Sequence, residues 1–162
     1  MRDLTRDTRF LSINTATVRK QLALPAIIEA CARRGIGAID PWRDQVQAAG
    51  LERIARQVKD AGLALSGYCR GGFFPARGAD ALRARRDDNR RAVDEAAALG
   101  TDVLVLVCGP PLDRDLEGAR ELVAEGIADL EPYAAEAAGA IASKMPSSAS
   151  LWRVPSPAMS AA

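Results

Sequence analysis

Residues 88–109 read DNRRAVDEAAALGTDVLVLVCG, which joins an amphipathic helix pattern to a short apolar strand pattern. Val93 and Ala96 lie on one face of the predicted helix, and the run 102–108 is apolar enough for a strand covered on both sides. Gly100 lies between them, where a helix commonly ends in a left-handed residue. The stretch therefore predicts one helix-to-strand connection of an α/β protein.

The same unit recurs along most of the chain. Strand-length apolar runs occur at residues 10–14, 37–40, 63–69 and 102–108, and we expect four strands. Helical spacing predicts four helices, whose buried faces are Leu24/Ile27/Ile28/Cys31, Leu51/Ile54/Ala55/Val58, Val93/Ala96/Ala97 in residues 80–99, and Leu116/Ala119/Val123/Ile127/Leu130 in residues 115–138. Glycines are expected to end them at Gly35, Gly62, Gly100 and Gly139. Repeated βα units require parallel strands, as in a doubly wound sheet or half of a (β/α)8 barrel.

Composition restricts the chemistry. The chain has 162 residues, enough for one domain, and a net charge of +1, so neither nucleic acid nor a membrane surface is an expected partner. Because histidine is absent, Ser-His-Asp and Cys-His nucleophiles and histidine metal sites are excluded. The cysteines, at positions 31, 69 and 108, form no C-x-x-C pair, which favours reduced thiols in a cytoplasmic protein.

The end of the chain differs in composition from the rest. Residues 140–162 contain no Asp or Glu and are rich in Ser, Ala and Pro, so we predict a globular part at 1–139 and an irregular tail at 140–162. Pro132 is expected to kink or restart the helix before that boundary. A shifted reading frame in a high-GC gene would produce such a break, and 19 Arg against 3 Lys fit such a gene. We therefore expect a truncated or frameshifted product.

Candidate functional residues follow the predicted strands, because the working groups of parallel α/β proteins lie at the carboxyl ends of strands. Asn14 follows the first run, and Asp40 is the best-placed carboxylate at the end of the second. Trp42 could stack on the apolar face of a sugar or simply pack. Arg43 and Arg70 could form a clamp for a phosphate or carboxylate.

Two glycines accompany the second arginine of this clamp. Gly71 and Gly72 would let a ligand approach the backbone closely, or they would serve only the turn while the arginines pair with nearby acids. The charged stretch 83–91 alternates in sign at helical spacing and is interpreted as a solvent-exposed helix face.

Four segments together resemble the sugar phosphate isomerase/epimerase family with a xylose isomerase-like TIM barrel. They are SINTATV at 12–18, PWRDQV at 41–46, CRGGFFP at 69–75 and DNRRAVDEAAALG at 88–100. The resemblance covers roughly residues 10–139 and implies a (βα)4 half of a TIM barrel. It further implies isomerisation, epimerisation or dehydration of a sugar or an inositol-derived ketone.

The resemblance also implies a divalent metal and a proton-transferring glutamate on the later strands. The matching place, residues 140–146, reads AIASKMP and contains neither glutamate nor histidine. No metal ligand or catalytic residue is therefore carried over to this chain. The resemblance leaves a substrate surface for a sugar or sugar phosphate, formed by Asn14, Trp42, Arg43, Arg70, Gly71 and Gly72.

Three functions remain open at this point. The first is the front half of a metal-dependent sugar isomerase that is inactive as this isolated chain. The second is a homodimer of half barrels, joined through unpaired strand edges, that binds a small phosphorylated or carboxylated molecule. The third is a metal-independent enzyme that uses Asp40 or Cys69.

Overall fold

A computed structural model describes residues 7–144, which form an α/β arrangement of five strands and five α-helices. The strands are β1 (Ser12–Asn14), β2 (Ala38–Asp40), β3 (Ala64–Leu65), β4 (Tyr68–Gly72) and β5 (Leu104–Val107). The helices are α1 (Leu24–Arg33), α2 (Arg43–Ala49), α3 (Leu51–Asp60), α4 (Ala79–Leu99) and α5 (Leu116–Lys144). None of these helices is long and apolar enough to cross a membrane.

All strand pairs are parallel, as the repeated βα units predict. One sheet has the order β1-β2-β3 and the other pairs β4 with β5, and a single bridge between Trp42 and Cys69 connects β4 to the end of β2. The described residues therefore form a partial TIM barrel that does not close. This architecture confirms the half-barrel prediction.

The prediction of one continuous third strand is wrong, because the chain changes its strand-pairing partner within residues 63–69. The amide of Ser66 donates to the Ile39 carbonyl of β2 at 3.0 Å, whereas the amide of Tyr68 donates to the Val103 carbonyl just before β5 at 2.9 Å. Gly67 lies between these two bonds. The run 63–69 therefore splits into β3 and β4, and the strand count rises from four to five.

The core lies between the sheet and the helices, as the helical spacing predicts. Leu24, Ile27, Ile28 and Cys31 of α1 are all buried, as are Ile54 and Val58 of α3. Gly35, Gly62 and Gly100 follow α1, α3 and α4 with φ values of 66°, 67° and 85°, respectively. These positive values confirm three of the four glycine helix ends.

The fourth predicted helix end, at Gly139, is wrong, whereas the division into a globular part and a tail stays a prediction. Helix α5 passes through Pro132 without restarting and continues past Gly139 to Lys144, so residues 140–144 are helical rather than irregular. The many alanines around Gly139 have the highest helix propensity and can sustain a helix through one glycine. The remaining tail, 145–162, lies outside the described residues.

Two further sequence expectations need correction. Leu116 and Ile127 of the predicted apolar stripe are 55% and 44% exposed, because no element among residues 7–144 packs over them. Helix α2 begins directly after Trp42, where a loop was expected. The short loop between β2 and α2 therefore carries Trp42 and determines the direction of its side chain.

Candidate functional site

The ends of β1 and β2 place three predicted polar or aromatic residues in one hydrogen-bonded cluster. Asn14 and Asp40 are register partners in the parallel pair, so their side chains project from the same face. The Asn14 side-chain amide donates to Asp40 Oδ2 at 2.8 Å, and Asn14 Oδ1 accepts from Trp42 Nε1 at 2.8 Å. Asn14 Oδ1 also accepts from the backbone amide of Ala16, which caps the turn after β1. The Trp42 ring is thus fixed by its neighbours rather than free in a loop.

Asp40 is the polar centre of this cluster. Its Oδ2 atom also accepts from Cys69 Sγ at 3.5 Å, whereas its Oδ1 atom is buried and has no partner among the described residues. Gly67 lies beside Oδ1, since a Cβ on Gly67 would be 3.2 Å from that atom. A buried carboxylate oxygen without a donor is energetically costly.

The surroundings of the thiol next to Asp40 favour its protonated form. Burial and the nearby Asp40 carboxylate raise the pKa of Cys69 to about 11. Reactivity requires the thiolate, which is scarce when the thiol pKa lies well above ambient pH. The raised pKa argues against the hypothesis that Cys69 performs covalent catalysis. Cys31, Cys69 and Cys108 are all free of disulfides.

Arg70 lies at the mouth of the cluster as a cation between two aromatic rings. Its guanidinium carbon is 4.2 Å from the ring centre of Phe73 and 5.5 Å from that of Trp42. Its position follows from a bulge in β4, where the pairing with β5 passes from Cys69 to Gly71 and leaves Arg70 as the extra residue. Within residues 7–144, no carboxylate pairs with Arg70.

Arg43, the other arginine of the expected clamp, is neutralised inside the structure. Its Nε donates to Glu95 at 2.6 Å and its Nη1 to Asp88 at 2.9 Å, and the side chain is only 12% exposed. Burial opposes its charge, but the hydrogen bonds to Glu95 and Asp88 prevail and raise the pKa of Arg43. Of the two arginines, only Arg70 keeps its donors available for a ligand.

The partners of Arg43 also hold β4 against α4. The Tyr68 hydroxyl donates to Glu95 Oε2 at 2.8 Å, and burial together with this contact raises the pKa of Tyr68. Burial would raise the pKa of Glu95, but the hydrogen bonds from Arg43, Gln47 and Tyr68 outweigh it and lower that pKa. This charged network therefore has a structural role, which is to connect β4 to α4.

Both glycines after Arg70 have structural roles. A Cβ on Gly71 would lie 3.1 Å from the side chains of Asn89 and Leu106. Gly72 has φ of 105°, and a Cβ there would lie 2.0 Å from the Val107 carbonyl oxygen. Their small size lets β4 pack between α4 and β5 and then turn.

Sequence reasoning missed two residues that form this mouth. Phe73 provides the closer of the two rings on Arg70. Asn89 is 2% exposed on α4 and contacts the end of β4 through a hydrogen bond to Gly72. The sequence spacing could have indicated that Asn89 is buried, because Asn89 lies three, four and seven residues before the apolar positions Ala92, Val93 and Ala96. The surrounding charges concealed this buried position.

The described residues do not fit the divalent metal that the resemblance implies. Nowhere in residues 7–144 do three Cys, Asp or Glu side chains come together in a geometry that could hold a metal ion. Asp40 and Cys69 are adjacent, but Asp40 already accepts from Asn14 and Cys69 keeps its proton. We therefore derive no step through a metal from these residues.

Comparisons with known proteins agree on one fold. The model of the xylose isomerase-like TIM barrel family matches residues 28–142. The crystal structure of protein SMc04130 from Sinorhizobium meliloti 1021 is 51% identical, with a TM-score of 0.74, and the match covers 78% of this chain and 47% of that chain. A xylose isomerase-like TIM barrel/4-hydroxyphenylpyruvate dioxygenase fusion protein is 22% identical, with a TM-score of 0.64, over 78% of this chain and 20% of that one.

These matches also give the relative lengths. The chain spans about half the length of the Sinorhizobium protein, since the match covers 47% of it. No curated protein sequence is significantly similar to the chain.

Proposed function

The chain belongs to the xylose isomerase-like TIM barrel family, and from that premise we propose that its strand ends bind an anionic sugar, either phosphorylated or carboxylated. The proposed context is a sugar isomerase or epimerase, to which this half barrel contributes substrate-binding surface. Proton transfer next to a carbonyl is not assigned to any residue among 7–144.

The observation that carries this proposal is the contrast between two arginines. Arg43 is saturated by Asp88 and Glu95, whereas Arg70 stands between Trp42 and Phe73 without a carboxylate. A guanidinium presents planar, parallel donors that suit phosphate and carboxylate oxygens. The rings on either side limit the rotation of Arg70, which reduces the entropy lost when an anion binds.

The neighbouring side chains suit the uncharged part of a sugar. The Trp42 ring is oriented by its hydrogen bond to Asn14, and the guanidinium carbons of Arg19 and Arg70 lie 5.8 Å and 5.5 Å from its centre. We propose that the C–H face of a sugar ring packs beside this ring. The Oδ1 atom of Asp40 is buried, so Asp40 acts through Asn14, which donates to Oδ2 of Asp40 and accepts from Trp42. Asn14 and Trp42 therefore complement Arg70 in one mouth.

We further propose a second copy of the chain as a partner. Strands β1 and β5 are unpaired on their outer sides within the described residues. Val105 and Val107 on β5 are 39% and 38% exposed, and Val103 just before the strand is 46% exposed; these alternating positions form an apolar strip on one face. We propose that β5 of one copy pairs with β1 of another, which would cover this strip and satisfy both edges.

The binding proposal is tested by titrating fructose 6-phosphate, with fructose as the uncharged control, into the chain and into Arg70→Gln. Loss of a charged hydrogen-bonding partner typically costs about 1.5–3 kcal/mol, so we expect Arg70→Gln to weaken binding roughly tenfold to a hundredfold. Arg77→Gln is the matched control, because Arg77 follows the same strand but pairs with Asp113 and is 66% exposed. Equal affinity in all three proteins would contradict the proposal.

A further inference from the structure

The segment that carries Arg70 has an unusual backbone. Arg70 is the extra residue of the β4 bulge, and the next two turning residues, Gly72 and Phe73, have φ values of 105° and 58°. A left-handed conformation is unfavourable for a side chain such as that of Phe73, so the surrounding contacts must hold the segment in place. The placement of Arg70 therefore depends on what holds this turn.

Three consecutive amides of the turn are held by three acceptors. The amides of Phe73 and Phe74 donate to the Val107 and Cys108 carbonyls, at 2.6 Å and 3.2 Å. The Gly72 amide instead donates to Oδ1 of Asn89, at 2.5 Å. Two of the acceptors are thus backbone groups at the end of β5, and the third is a side chain of α4.

Asn89 is well placed to transmit the position of α4 to the turn. It is 2% exposed and lies on the buried face of α4, so its amide cannot exchange its partner for water. Gly71 packs directly against it, because a Cβ there would lie 3.1 Å from Asn89 Oδ1. A shift of the Asn89 side chain would therefore move the backbone on the C-terminal side of Arg70.

We propose that Asn89 is a positioning residue, which holds the Arg70 guanidinium between Trp42 and Phe73 through its hydrogen bond to the Gly72 amide. The inference rests on the proposed function in one respect, namely that Arg70 is the group that binds the anion. Without the Asn89 acceptor, the Gly72 amide is buried without a partner, and the turn relaxes toward a conformation in which Arg70 leaves the Trp42 ring.

The test uses Trp42 as a reporter of the nearby positive charge, in a Trp152→Phe background that leaves one tryptophan. Iodide, an anion, and acrylamide, which is neutral, quench tryptophan fluorescence by collision. The ratio of the iodide to the acrylamide quenching constant therefore rises when a cation lies beside the ring. Arg70→Gln gives the value of this ratio when the Arg70 guanidinium is gone and that of Arg19, 5.8 Å from the ring centre of Trp42, stays; this value must lie below the unmutated one.

We expect Asn89→Leu, which removes the acceptor while keeping similar volume, to lower the ratio to the Arg70→Gln value. Asn89→Ser should lower the ratio to the same value, because the serine hydroxyl is too short to reach Gly72. This variant replaces Asn89→Leu if the leucine variant does not fold. Asn89→Asp keeps the acceptor and should keep the ratio. Val93→Ala, at a site 5% exposed on the same helix, should lower the melting temperature without changing the ratio.

Two results would overturn the inference. One is that Asn89→Leu and Asn89→Ser keep the quenching ratio of the unmutated protein but have a lower melting temperature. Asn89 would then have only a stabilising role. The other is an Arg70→Gln ratio equal to the unmutated one, because Arg70 would then not lie beside Trp42. Neither quencher is a sugar, so the result does not depend on whether fructose 6-phosphate binds.

Discussion

Arg43 begins α2 after β2 and Arg70 lies in the bulge of β4, and although both carry the same guanidinium group, their surroundings differ completely. The acids that neutralise Arg43 lie 45 and 52 residues away in sequence, on α4. Only the packing of α4 against β4 brings Asp88 and Glu95 to this arginine, so no local pattern could separate it from Arg70. By contrast, the positions of Asn14, Asp40 and Trp42 were predictable, because they follow directly from the ends of parallel strands.

The charge network around Arg43 predicts a loss of stability in acid. The pKa of Glu95 is lowered from its ordinary value of 4.5, and that of Asp88 from 3.8. A lowered folded-state pKa means that the unfolded chain binds protons first, so this stabilisation is complete above the ordinary values and is lost as pH falls through the folded ones. Urea midpoints measured from about pH 6 down to about pH 3 should therefore fall.

Glu95→Gln should remove part of that acid dependence and lower the free energy of unfolding at neutral pH by roughly 1–3 kcal/mol, because it leaves Arg43 with one carboxylate. The matched control is Glu121→Gln at an exposed position of α5. A Glu95→Gln protein with the stability and acid profile of the control would show that the network contributes nothing measurable.

At the scale of elements, periodicity identified most helices and strands but placed several of their limits incorrectly. The apolar run at 63–69 could not show that its backbone leaves β2 and joins β5, because both halves have strand-like composition. Helix α2 was missed because its seven residues bury only Val46, which is too little for a helical stripe. Gly139 looked like a helix end because glycine usually is one, but its neighbours sustain the helix.

Helix α5 gives a direct test of that last correction. Gly139 is exposed and helical, and a Cβ there would meet nothing within 4 Å, so Gly139→Ala should stabilise the protein by up to about 1 kcal/mol. If Gly139 instead ended the helix in a left-handed conformation, replacing it with alanine would destabilise the protein. Thermal melts followed by circular dichroism distinguish the two outcomes.

The contrasting substitution on the same helix is Gly126→Ala. A Cβ on Gly126 would lie 2.3 Å from the buried Phe74 ring, so this variant should destabilise the protein despite the better helix propensity of alanine. If Gly126→Ala were as stable as the unmutated chain, the packing of Phe74 against α5 would be incorrect.

At the scale of the whole molecule, the described residues leave one apolar strand face open. The proposed pairing of β5 with β1 of a second copy predicts a dimer in sedimentation equilibrium. Val105→Lys places a charge in the middle of the exposed strip and should give a monomer. Ala84→Lys adds the same charge on an exposed part of α4 and should leave the dimer intact. A monomeric unmutated chain would rule out the second copy as partner.

The central claim is that an anionic sugar binds where Trp42 and Arg70 meet, and the indole N–H of Trp42 reports on that place directly. In a ¹H–¹⁵N spectrum the two tryptophans give two indole signals, which Trp152→Phe assigns. We expect fructose 6-phosphate to shift the Trp42 signal in a saturable manner, fructose to do so more weakly, and Arg70→Gln to abolish the difference between them. A Trp42 signal unmoved by saturating fructose 6-phosphate would contradict the claim.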